Sequence, residues 1–131
     1  FLNAFLDAEL ARHRLRDADL VLIGFSQGAM MALHVGLRRP RAPAAIISHS
    51  GMLVADARFA AEIKNRPPVL LTHGSADELL PPACLPAAEA VLAAIGVPVE
   101  SHLIPGLGHG IDEATLRFDL RFLRNRFPSS G

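Results

Sequence analysis

The chain has 131 residues, 13 basic and 13 acidic side chains, zero formal net charge and one cysteine. That length fits one domain with little room for two, and a hydrophobic fraction of 50% excludes a disordered chain. Zero net charge without a long basic run excludes nucleic acid or anionic membrane recruited by charge, and a lone Cys84 excludes an intramolecular disulfide or a cysteine-rich zinc site.

In chain order, residues 2–15 read as an amphipathic helix with Leu2, Phe5, Leu6, Leu10 and His13 near one face. Leu20 to Phe25 is a short apolar run of the kind buried on both faces of a parallel sheet. A helix follows over residues 27–38 and stops before Pro40 and Pro43. Ala44 to Ser48 is a second strand and residues 56–65 hold a short helix. Pro68 to His73 is a third strand, and residues 83–95 form an Ala-rich helix with Gly96 as its stop. Val97 to Ile104 is a fourth strand. A last helix, residues 112–127, carries Leu116, Leu120 and Leu123 at helical spacing, with Phe118 and Phe122 on a neighbouring stripe. Alternating strands and helices predict an α/β fold, a four-stranded parallel sheet flanked by helices within one domain over residues 1–131. The tail Pro128-Ser129-Ser130-Gly131 reads as a short low-complexity tract.

Chemistry concentrates after the strands. Gly24-Phe25-Ser26-Gln27-Gly28 matches G-x-S-x-G between a buried strand and a helix. A serine on so sharp a turn sits in strained backbone, and glycines two residues away relieve the crowding. Backbone N–H groups of the following helix then face any negative charge beside Ser26. A serine hydroxyl needs a base, itself oriented by a third group. After the third strand, Asp77 lies in a tight loop, with Glu78 as its close competitor. After the fourth, His109 stands between Gly108 and Gly110. The chain order Ser, Asp, His is that of an α/β-hydrolase. His73 is expected to hydrogen-bond its loop, and His13 and His34 to be packing or surface residues. No metal-ligand spacing exists, so neither a metal nor another cofactor is expected. Cys84 reads as a buried or half-buried bystander in a reducing, cytoplasmic compartment.

Gly24 to Ala32, His73-Gly74-Ser75-Ala76-Asp77 with Pro81, and Gly106-Leu107-Gly108-His109 together resemble the carboxylesterase/phospholipase family of α/β-hydrolases, which includes acyl-protein thioesterases. The resemblance spans about residues 1–127. It implies Ser26 as nucleophile, His109 as general base and acid, Asp77 as orienting acid, and the Gln27 N–H as half of the oxyanion hole. It implies acyl transfer from a small ester or thioester to water. Met52, Leu53, Leu79, Leu80 and Leu107 are candidates for the acyl pocket, with ordinary core or loop packing as the alternative. A peptidase and a non-catalytic binding domain of the same fold are the competing functions.

Family members carry several strands and an N-terminal His-Gly loop before the nucleophile strand. Here the chain opens Phe1-Leu2-Asn3, with no Met, no basic leader segment and one helix before Leu20. The chain is therefore expected to be the C-terminal part of a longer hydrolase, without a signal peptide, and to hydrolyse esters poorly in isolation because the second oxyanion donor is missing. No apolar stretch is long enough to cross a bilayer. Leu20 to Phe25 is expected at a sheet edge, open to a second copy or to the missing N-terminal half.

Overall fold

The computed structural model describes residues 1–127; the predicted tail tract, residues 128–131, lies outside them. β1 (Val21–Phe25), β2 (Ala45–His49), β3 (Val69–Gly74) and β4 (Val99–Ile104) form a parallel sheet in the order β1-β2-β3-β4. Between and around them run α1 (Leu2–Arg12), α2 (Gln27–Arg38), α3 (Phe59–Glu62), α4 (Cys84–Ala94) and α5 (Glu113–Arg126). Every predicted element is present. The short helix between β2 and β3 shrinks to a single turn, and the final strand starts two residues late because Val97 completes the end of α4. There Gly96, at φ +84°, lets its own N–H reach the Ala93 carbonyl and the Val97 N–H reach that of Leu92, a paired C-terminal cap. No helix among the described residues is long and apolar enough to cross a membrane.

Strand alternation sorts the core onto two faces. Ile46, Val69 and Leu71 meet Leu33 and Leu37 of α2, Phe59 of α3, and Leu85 and Leu92 of α4. On the other face, Ala45, Ile47 and Leu70 meet Phe122, with Val21, Phe118 and Leu123 packed around them. Each fully buried Leu or Ile contributes about 1.5–3 kcal/mol. The central strands β2 and β3 are buried along their whole length. β1 lies at an edge, as expected, and so is not buried on both faces: Ile23 is 55% exposed.

Two amphipathic expectations need correction. In α1 only Leu6 is buried, and Phe5 stands exposed. The helix stops at Arg12 rather than Leu15, with Arg14 at φ +56°. Polar contacts tie α1 to the rest: Arg39, its side chain 2% exposed, donates to Asp17 (2.6 Å), Asp7 (2.7 Å) and Asn3 (3.1 Å). In α5 the buried residues are Thr115, Asp119 and Phe122, whereas Leu116 and Leu120 of the predicted stripe face solvent.

Candidate active site

β1 ends at Phe25, and Ser26 is the turn into α2, held at φ +56° and ψ −117°. A non-glycine residue there stores about 1–3 kcal/mol of strain. Neighbouring hydrogen bonds hold it: the Ser26 N–H donates to the His49 carbonyl at 2.9 Å, and the Ser26 carbonyl accepts from Ala29 and Met30. The crowding is one-sided. A Cβ on Gly24 would strike the Gly28 carbonyl, whereas one on Gly28 meets nothing within 4 Å. The expectation that both flanking glycines relieve a clash therefore holds for Gly24 alone.

The β3 loop packs on the β4 loop. A Cβ on Gly74 would strike the carbonyls of Leu107 and Gly108, so glycine lets the two backbones approach. Ala76 N–H donates to the Leu107 carbonyl (2.9 Å) and Gly106 N–H to Ser75 Oγ (2.8 Å). Asp77, fully buried at its side chain, accepts from Leu79 N–H (2.8 Å) and Leu80 N–H (2.9 Å) through Oδ1. Its Oδ2 lies 2.7 Å from His109 Nδ1, and His109 Nε2 lies 3.0 Å from Ser26 Oγ. Burial opposes ionisation of Asp77. The Leu80 N–H, the His109 ring and the Leu79 N–H outweigh it and hold the carboxyl at about 2, below the ordinary 3.8. The ionised carboxylate accepts a hydrogen bond from His109 Nδ1–H, which leaves Nε2 to accept one from the Ser26 hydroxyl. The Phe25 ring, 4.9 Å from that of His109, walls one side. Ser26, His109 and Asp77 are thus one hydrogen-bonded chain at the carboxyl end of the sheet, while Glu78 is exposed.

Residues 1–126 match the family model described as phospholipase/carboxylesterase. The chain belongs to this family. It is 38% identical to acyl-protein thioesterase 1 of Schizosaccharomyces pombe over 84 residues, 61% of this chain and 37% of that protein. It is 32% identical to esterase YpfH of Escherichia coli over 107 residues, 82% of this chain and 45% of that protein. The solved structure of esterase PE8 superposes with a TM-score of 0.93 at 43% identity, covering 96% of this chain and 59% of that one. SOBER1 of Arabidopsis thaliana gives 0.88 at 25% identity, covering 95% and 60%. The chain therefore spans half or less of these curated relatives and about three fifths of these solved structures. The sheet is part of an α/β-hydrolase fold.

The remaining sequence candidates divide in two. Leu53 lines an open cavity of about 320 Å³ with Met30, Met31, His34, Arg38 and Val54 beside α2. Met52 and Leu53 also face Cys84, Ala88 and Val91 of α4 and its entry. Leu79, Leu80 and Leu107 act instead through backbone. The first two donate to Asp77, and the Leu107 carbonyl accepts from Ala76. The Gln27 N–H, at the first position of α2, belongs to the helix-end donors that no intrahelical carbonyl can satisfy. His73 holds its loop as expected, with Nε2 3.1 Å from both the Leu80 carbonyl and Asp77 Oδ2. Cys84 is half-buried.

Sequence reasoning missed a second polar chain. His49 Nδ1 lies 2.7 Å from Thr72 Oγ1, and its Nε2 lies 2.8 Å from Asp119 Oδ2. Only the strand register, which pairs His49 with Thr72, and the observed rotation of α5 bring these residues together.

Proposed function

We propose that this chain supplies the nucleophile, the general base and the orienting acid of a serine hydrolase acting on carboxylic esters or thioesters. The continuous chain of hydrogen bonds from Ser26 through His109 to Asp77 carries the proposal. The names of its relatives, esterase and acyl-protein thioesterase, support the substrate class.

Ser26 Oγ attacks the carbonyl carbon while His109 Nε2 takes its proton. The carbonyl π electrons move to oxygen, and the oxyanion accepts a hydrogen bond from the Gln27 N–H. Asp77 stabilises the imidazolium without taking its proton. The intermediate collapses, the C–O or C–S bond breaks, and His109 Nε2 gives its proton to the leaving group. Water then attacks the acyl-Ser26 carbonyl, giving its proton to His109. Collapse returns that proton to Ser26 and releases the acid. No step calls for a cofactor. Apolar side chains beside the nucleophile helix, Met30, Met31 and Leu53, are the proposed acyl wall, with Met52 beyond them. Leu79, Leu80 and Leu107 remain proposed acyl-pocket residues. The single free Cys84 is consistent with a reducing, cytoplasmic setting.

The test is turnover of p-nitrophenyl esters against aminoacyl anilides. Ester cleavage that falls roughly a million-fold in Ser26→Ala, as for nucleophile loss in subtilisin, supports the esterase. Faster anilide cleavage would make the protein a peptidase, and near-parental turnover by Ser26→Ala would refute the nucleophile.

A further inference from the structure

α5 carries two neighbouring apolar stripes and turns only one of them to the sheet. Leu116, Leu120, Leu123 and Phe127 form an apolar stripe, yet Leu116 and Leu120 are more than half exposed. The helix instead turns Thr115, Asp119 and Phe122 inward. Moving from one stripe to the other takes about 100° of rotation, one residue's advance around a helix. Apolar packing is non-directional and does not decide between the two stripes, because the observed rotation packs Phe122, with Phe118 and Leu123, on the sheet. The observed rotation is the one that puts Asp119 Oδ2 2.8 Å from His49 Nε2, both side chains almost wholly buried. A carboxylate so placed is expensive without its partner. The buried pair and the Phe122 packing are thus made in the same rotation.

That rotation reaches the proposed catalytic groups from two sides. α5 starts just after the loop carrying His109, with Asp112 and Thr115 capping its first turn. His49 also accepts the Ser26 N–H through its own carbonyl at 2.9 Å. Its other ring nitrogen meets Thr72 Oγ1, and the next N–H, that of Ser50, donates to the Thr72 carbonyl. One residue thus touches the serine turn by backbone and the helix that follows the His109 loop by side chain.

We propose that His49 and Asp119 are positioning residues that set the register between Ser26 and His109. The proposal rests on the esterase function above. The pair touches no substrate; its effect runs through the placement of α5 and of the serine turn.

The experiment follows two signals that need no turnover, the His109 Nδ1–H and Ser26 amide resonances in nitrogen-15 NMR, beside the rate of fluorophosphonate labelling at Ser26. Asp119→Ala is expected to move both resonances and slow labelling per folded molecule by about tenfold to a hundredfold, the scale of a small misplacement. Asp119→Asn should restore both, because its amide oxygen still accepts from His49 Nε2–H. The double variant His49→Leu with Asp119→Leu removes both polar partners together, so it should stay folded and still label slowly. It decides the matter if Asp119→Ala does not fold. Unchanged resonances and rates in the folded variants, or equal losses in Asp119→Asn and Asp119→Ala, would overturn the proposal. A full-length parent protein that does not label at all overturns the esterase function, and the two resonances then decide the positioning role alone.

Discussion

At Gly24 a single added carbon meets the backbone carbonyl of Gly28, while the same carbon on Gly28 meets open space. Gly24→Ala should therefore destabilise the fold by about 1–3 kcal/mol, the cost of overpacking against rigid backbone. Gly28→Ala should be neutral or stabilising by up to about 1 kcal/mol, since alanine suits a helix better than glycine. Urea unfolding of the two variants checks the contrast; equal losses would show that both flanks are crowded. Asp77 makes a second residue-scale prediction. Its folded carboxyl titrates at about 2 against an ordinary 3.8. A depressed carboxylate adds stability that is whole above about pH 4 and is lost as pH falls towards 2. The parent should lose more stability than Asp77→Asn over that window, measured by urea unfolding at stepped pH, and parallel losses would contradict the hydrogen bonding around Asp77.

At the scale of elements, α1 is held by charge rather than by its apolar face. Removing Arg39 leaves Asp17, 17% exposed at its side chain, without its 2.6 Å partner. Arg39→Ala should cost about 3 kcal/mol, the low end for breaking a buried pair, because Asp7 is open to water. Limited proteolysis should then cut within residues 1–15, and an unchanged midpoint with an intact N terminus would show that α1 docks by other means. Elements were legible where local pattern decides them. Leu20 to Phe25 stops at a glycine, Gly96 ends α4, and Ser26, Asp77 and His109 each follow a strand. Asp77 and Glu78 share one loop, so local pattern left the choice between them open. What escaped depends on distant partners. Arg39 meets residues 22 to 36 positions away, and His49 meets Asp119 across 70. No local spacing encodes such pairs, so the face of α1 and the rotation of α5 were misread from apolar periodicity.

At the scale of the described sheet as a whole, the edge strand β1 is the leading feature. β1 offers a nearly apolar strand with Ile23 55% and Phe25 39% exposed, and neither proline nor charge protects it. In sedimentation, the 131-residue chain should self-associate at micromolar concentration, and Ile23→Lys should shift it towards monomer. A parent that stays monomeric throughout would show the edge to be inert. The central claim, that Ser26 is a nucleophile served by His109, is tested most directly by covalent trapping. After incubation with a fluorophosphonate, peptide mass spectrometry should place one adduct on Ser26, and His109→Ala should nearly abolish it. An adduct on another residue, or undiminished labelling of Ser26 without His109, would contradict the account.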